Sequence, residues 1–430
     1  MITEKFIHNL VNFLFVCIFM LEFMIDDLRF LPKKAAWIFD ILALVFFIIT
    51  LLRLAVIKKF EIKRKYLIFF LVYVAHLGLG ALFNKVPAGA IIAGIRTYFR
   101  YMPLFFLPSV LPIKKDVISN QLKLLFIFSI LQVPIAIYQR LFQFSGIQTG
   151  DVISGTLTIA PFLTLFQISA ISFLLAIYVR GKLKFSTFCL YSIILFIPCT
   201  INETKAVIVL LPASLLAISF FARKKDLMLK RIIIIPSILV LLFSIFIPIY
   251  DHFIYTKWGY GIIDFMQMDN RVSNYLYKGA SGDEDDVMIG RFDSIAISYN
   301  HISKDPILFA FGYGMGNVLL SFSDKLKGNH MEFDALGARN TLLTAILWET
   351  GIVGFLLLSI FITMIFWDAL QLQQATTIAG DIALSWIGVG FMLCVSIVYL
   401  DLLHHNIGFL IAYFSGYVSA EYSKFYKQNA

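Results

Sequence analysis

RNTLLTAILWETGIVGFLLLSIFITMIF, residues 339–366, carries one charge beyond its opening arginine, Glu349. About 20 apolar residues in a helix cross the roughly 30 Å hydrocarbon of a bilayer, and this run is long enough to do so. In lipid its backbone must satisfy its own amides and carbonyls, which selects a helix. Gly351 and Gly354 let a neighbouring helix come close. Glu349 lies ten residues past Arg339, about 15 Å down the helix. A carboxylate at that depth is too costly to face lipid, so it is expected to face a protein partner or a cavity.

The rest of the chain repeats the pattern. Of its 430 residues 60% are hydrophobic, 44 of them Phe, and 15% are charged, where an ordinary soluble protein carries about a quarter. Mean hydropathy is +0.84. That leaves too little polar surface to cover a soluble globule. A window of about 19 residues gives twelve candidate helices, near 6–25, 36–57, 66–84, 88–111, 121–142, 158–179, 185–201, 204–222, 231–250, 339–366, 379–400 and 404–422. The expected fold class is all-α, a polytopic integral membrane protein of about twelve transmembrane helices. Residues 1–250 hold the first nine, 251–338 form one large loop, and 339–430 hold the last three and the C-terminus. The first run meets Asp26 and Asp27 without a small-residue cleavage site and reads as a retained helix. Cys17, Cys189, Cys199 and Cys394 lie in or beside apolar runs without a CxxC pair, which indicates neither zinc nor a disulfide framework.

Every second connector is basic. Arg53, Lys58, Lys59, Lys63, Arg64 and Lys65 follow the second run, Lys114 and Lys115 the fourth, Arg180, Lys182 and Lys184 the sixth, and Arg223, Lys224, Lys225, Lys230 and Arg231 the eighth. The positive-inside rule makes those connectors cytoplasmic and puts both termini inside. Arg29, Lys33 and Lys34 are exceptions on the outer side, partly offset by Asp26 and Asp27. The 251–338 loop, with twelve acidic residues against seven basic ones, is then extracytoplasmic. The net charge of +9 therefore reflects topology and contact with anionic membrane lipid, not nucleic acid. No internal repeat is evident, which weighs against the common transporter folds.

Charges at membrane depth are the functional candidates. Arg96 and Arg100, four apart in AGIRTYFRYMPLFF, share a helical face near the outer leaflet, where they either snorkel to headgroups or hold a phosphate. In INETKAVIVLLP, Asn202 is placed to cap the next helix and Glu203 to fill its first turn, with Lys205 just inside the interface. A lysine opposes the dipole at a helix start, so an anion nearby would explain it. Arg339 and Asn340 stand at the mouth of the 339–366 helix, and His330 lies in the loop nine residues before Arg339. His404, His405 and Asn406 open the last helix on the outer side and are further candidates for a base.

The segment GRFDSIAISYNHISKDPILFAFGYGMGN, residues 290–317, is charged, glycine-punctuated and broken by a proline, and is expected to stay in water. Its Gly312, Gly314 and Gly316 complete neither a dinucleotide nor a P-loop motif and read as a tight turn. The acidic GDEDD of 282–286 lacks the ligand alternation of an EF-hand. No cofactor or metal motif is found.

On AGIRTYFRYMPLFF, SGTLTIAPF around Gly155, INETKAV, the RFDS to GYGMGN run with Arg291, and ARNTLLTAILWETGIVG, the chain resembles the O-antigen polymerase and O-antigen ligase family of bacterial lipid-linked glycan enzymes. The most specific part is an arginine, then a proline and a glycine turn, then a helix with E-x-G-x-x-G. The resemblance implies a membrane-embedded glycosyltransferase in the bacterial inner membrane. It implies an inverting, metal-independent transfer from an oligosaccharide on undecaprenyl pyrophosphate at the outer face. The partners it implies are that donor, a growing glycan or other acceptor, and a chain-length regulator. Where family ligases open the helix on a His-Asn pair, this chain has Arg339 and Asn340, which places a repeat-unit polymerase ahead of a ligase. A flippase of lipid-linked glycan is the alternative outside the enzyme class, but the cations identified cluster on the outer half.

Stabilising the departing pyrophosphate is the main chemical task, and arginine forks suit it. Arg291, Arg339, His330 and Glu349 are the expected catalytic residues, and Arg96, Arg100, Lys205 and Asn340 the expected pyrophosphate-binding and substrate-binding ones. The acceptor hydroxyl also needs a base. His330, Glu349, Glu203 and Asp293 are all open as that base. The 290–317 segment would close over the glycan, with Trp258, Tyr260 and Tyr313 placed to stack on sugars or to sit in an interface belt.

Overall fold

The computed structural model describes residues 3–57, 62–145, 150–157, 159–222, 228–258, 261–267, 289–319 and 323–429. The GDEDD stretch, Tyr260 and the basic residues Lys58, Lys59 and Arg223 to Lys225 lie outside them. All regular structure among the described residues is helical. In chain order it comprises α1 Glu4–Glu22, α2 Ile38–Ile57, α3 Arg64–Phe83, α4 Ala88–Phe99, α5 Met102–Val110, α6 Lys115–Tyr138, α7 Ala160–Val179, α8 Phe185–Ile201, α9 Val207–Phe221 and α10 Met228–Trp258. In the long loop come α11 Ile262–Gln267, α12 Arg291–Ile302 and α13 Pro306–Phe311, and after it α14 Leu342–Leu372, α15 Ile378–Ser396 and α16 Ile407–Asn429.

Among the described residues eight segments are long and apolar enough to cross a membrane: Glu4–Asp27, Lys33–Val56, Arg64–Phe83, Lys115–Gln143, Ala160–Val179, Ile235–His252, Leu342–Leu372 and Ile378–Ser396. Ala88–Phe99, Phe185–Ile201 and Val207–Phe221 are apolar but shorter. Leu44, Leu51, Leu71 and Leu82 stand exposed on α2 and α3, as lipid-facing residues do. The chain has the make-up of a polytopic helical membrane protein. Helix α15 packs on α7, α9 and α14, and α16 packs on α5. Glycines allow these approaches: a Cβ on Gly388 would stand 2.8 Å from Ser214 O on α9, and one on Gly416 would collide with Phe105 O on α5. Polar pairs add to the packing, Ser172 with Ser214 at 2.6 Å and Tyr413 Oη donating to Gln121 Oε1 at 2.8 Å. Each is worth about 0.6 kcal/mol in such a setting.

The span expected over 88–111 is two helices, broken at Arg100 and Tyr101. Pro103 has no amide to give the carbonyl four residues back, and Tyr101 at the break turns its hydroxyl to the carbonyls of Leu403 and His405, before α16. The expectations for INETKAV also change. Asn202 ends α8 and donates to Ala160 O (3.0 Å) and Thr164 Oγ1 (2.8 Å) on α7, while α9 begins only at Val207. Glu203, left-handed at φ 58, lies outside the helix, and its carboxylate meets Arg140 at 3.5 Å with both side chains buried.

The glycine turn that ends the 290–317 segment is not in water, although residues 303–307 before it are exposed. Gly316 is buried, and Asn317 and Val318 are fully buried. Asp305 caps α13 by accepting from Ile307 N (2.6 Å) and Leu308 N (3.1 Å), with Pro306 in the first turn. The chain then turns through Gly312, Gly314 and Gly316, all at positive φ. It comes to lie against α3, α4 and a kink in α14. The kink is Gly351, at φ 65. There Trp348 O accepts from Tyr313 N (2.7 Å) and Glu349 O from Gly314 N (3.0 Å). Non-helical backbone among membrane helices persists only where protein satisfies its amides. Glu349 supplies that, accepting from Gly316 N (2.9 Å), Val318 N (3.1 Å) and Leu319 N (2.8 Å).

Candidate functional site

The connector between α15 and α16, residues 397–406, is half-buried and gathers backbone amides from α14 and side chains from four other places, the α4–α5 break, α1, α7 and α12. Its backbone is pinned first: Leu342 N and Leu343 N at the start of α14 donate to Leu400 O (2.8 Å) and Ile397 O (3.1 Å). Arg291, the first residue of α12, donates from Nε to Tyr399 O at 3.1 Å and lies 4.3 Å over the Tyr399 ring. From the α4–α5 break, Tyr101 Oη reaches Leu403 O (3.0 Å) and His405 O (2.7 Å). Arg100 donates to Tyr101 Oη, packs over the Tyr101 ring at 4.5 Å, and keeps a buried Nε without an acceptor. Asn406 donates to Glu22 Oε1 on α1 at 2.6 Å.

The connector's own titratable groups are Asp401, His404 and His405. Asp401 Oδ2 lies 2.6 Å from His404 Nδ1, and its Oδ1 accepts from Leu403 N at 2.9 Å. The His405 ring lies 4.1 Å from Phe162 on α7. Burial pushes His405 down to about 4, with Asp401 opposing and His404 and Arg100 reinforcing the shift. His405 is therefore neutral near pH 7.

An apolar cleft of about 270 Å³ opens beside this cluster, between α3, α5, α14, α15 and α16. Phe69, Tyr73, Phe105, Phe361 and Ile411 line its length, and Tyr101 and Leu403 border it. A polar, cationic cluster thus adjoins an apolar trough, the pairing that an anionic headgroup with a long hydrocarbon tail would fill.

Of the residues expected from sequence, Arg100 and Arg291 converge on the connector. Arg96 is bound to Asp40 on α2 through a two-point pair, Nε to Oδ1 at 2.7 Å and Nη2 to Oδ2 at 2.8 Å, so the two arginines of that motif part company at the helix break. Lys205 is half-buried beside the Arg140–Glu203 pair. Arg339 and Asn340 belong to the loop instead: Arg339 grips Asp334 (2.7 and 3.2 Å) and Asn340 donates to Ile289 O (2.9 Å), both exposed. His330 stacks on Phe333, lies against Tyr313 and meets Glu332 at 3.2 Å. Glu349 spends both oxygens on backbone amides of the 312–319 turn. The cluster's remaining members, Tyr101, Tyr399 and Asp401, were not singled out from sequence. Their only signal was an aspartate and two histidines within five residues after an apolar run. No family model and no curated protein sequence matches this chain.

Proposed function

We propose that the chain is a polymerase of lipid-linked glycan, transferring glycan from undecaprenyl pyrophosphate to the next lipid-linked repeat unit at the outer face of the bacterial inner membrane. The observation that carries this reading is that Arg291 directly, and Arg100 by way of Tyr101, reach one connector beside an apolar cleft. In this reading the three shorter apolar helices and α16 join the eight long segments to complete a twelve-span bundle, both termini are cytoplasmic, and the cluster faces outward.

The polyprenyl tail lies in the cleft and its pyrophosphate rises to the connector. Arg100 offers a guanidinium held in place by Tyr101 and Phe409, and Arg291 one fixed by Tyr399. Fixed cations of this kind stabilise the charge that grows on the pyrophosphate as the anomeric bond breaks. They do so without a metal. Attack from the opposite face inverts the anomeric centre. Glu349 has a structural part in this account, holding the turn that closes one wall of the bundle. Arg339 and His330 lie on the loop, where a glycan would pass.

Purified protein in liposomes, given only an undecaprenyl pyrophosphate-linked repeat unit, is expected to form a ladder of longer lipid-linked glycans. Arg100→Ala and Arg291→Ala are each expected to slow it about 10²–10³-fold. Ladders of wild-type rate from both variants would remove the cluster from the reaction.

A further inference from the structure

We infer that His404 and Asp401 form a base dyad, with His404 Nε2 taking the proton of the acceptor hydroxyl. The inference rests on the glycosyl-transfer reading and adds the residue that activates the acceptor. Asp401 is fixed from within its own turn, since Oδ1 holds Leu403 N at 2.9 Å while Oδ2 holds His404 Nδ1 at 2.6 Å. An ionised carboxylate can only accept, so in the neutral imidazole Nδ1 bears the hydrogen and Nε2 the lone pair. That Nε2 is buried and has no hydrogen-bond partner. A lone pair withheld from water and from protein is a place where a ligand's hydroxyl gains most.

The dyad stands beside the cation that would hold the leaving group. Tyr101 Oη, which receives Arg100, reaches the carbonyls on either side of His404, at Leu403 and His405. The charged and titratable groups that meet this connector are its own Asp401, His405 and Tyr399, Arg100 near His405 from the α4–α5 break, Arg291 from α12 at Tyr399, and Glu22 from α1 at Asn406. His405 is turned against Phe162, and His330 is on the loop with Glu332. Among the histidines at this end, His404 alone joins a carboxylate at Nδ1 to a bare, buried Nε2.

In the step itself, the acceptor oxygen attacks the anomeric carbon as its proton passes to Nε2. The bond from that carbon to the pyrophosphate oxygen breaks, and its electron pair leaves with the pyrophosphate. The imidazolium, balanced by Asp401, then gives its proton to water or to the released pyrophosphate. His404 is the catalytic residue and Asp401 its positioning residue.

The test uses the full chain in liposomes with the lipid pyrophosphate-linked repeat unit. His404→Gln is expected to lower kcat about 10²–10³-fold with KM within about threefold, and added imidazole to restore part of the rate of His404→Ala. Asp401→Asn keeps the Leu403 bond and is expected to lower kcat at least about tenfold at unchanged KM, with Asp401→Glu recovering part. Wild-type kcat in His404→Gln, or a loss in His404→Ala that imidazole does not relieve, overturns the dyad while a wild-type ladder leaves the polymerase standing. If the His404 variants do not fold, Asp401→Asn decides alone, wild-type kcat overturning the dyad. No glycosidic bond formed by the wild type overturns the polymerase reading, and the dyad with it.

Discussion

Glu349 is 1% exposed in the longest apolar run and was legible as a charge turned from lipid toward a protein partner or a cavity. Its partner was not legible, because three backbone amides some thirty residues earlier have no side-chain signature. Glu349→Gln keeps the shape but turns a donor toward donating amides. It is expected to destabilise the fold by about 2 kcal/mol, read as a lower unfolding midpoint in detergent, and an unchanged midpoint would remove Glu349 from the role of anchor. His405 makes a prediction with pH. Its folded-state value of about 4 lies below the ordinary 6.5 for histidine, so the unfolded chain binds more protons between those limits. Its share of stability is present above about pH 6.5 and is lost as pH falls toward about 4, by no more than about 3 kcal/mol. His405→Phe is expected to flatten that part of the stability profile, and an equal acid loss in the variant would contradict it.

At the scale of elements, the glycine spacing after α13 correctly signalled a turn, since all three glycines have positive φ. Composition could not show that the turn is packed among helices, because its polar backbone is satisfied by Glu349 and by Asn84, which donates to Gly312 O at 3.0 Å. A Cβ on Gly316 would collide with Ala90 O on α4, in a conformation that favours glycine. Gly316→Ala is expected to cost at least about 1–3 kcal/mol and to free the loop, giving faster proteolytic cleavage there. Cleavage at the wild-type rate would show that the turn is not held as described. The α4–α5 break was missed for a related reason. Hydropathy averages over Arg100 and Tyr101, whereas the structure depends on where those two side chains find partners.

At the scale of the whole molecule, apolar runs on this length scale were read directly, and among the described residues eight are long enough to span. The candidate site was half legible. Arg100 and Arg291 stood out as cations, but they are 191 positions apart in sequence and reach one connector, Arg100 by way of Tyr101, only because α4 stops short and α12 extends to the α15–α16 connector. The central claim is that this meeting place makes glycosidic bonds from one side of the membrane. The most direct measurement places the lipid-linked repeat unit in the leaflet facing the cluster of sealed proteoliposomes and counts both new glycosidic bonds and freed lipid pyrophosphate. One lipid pyrophosphate released for each repeat added, with the lipid remaining in its leaflet, is the predicted result. Movement of the intact lipid-linked glycan to the other leaflet, with no bond made and no pyrophosphate freed, would contradict the account.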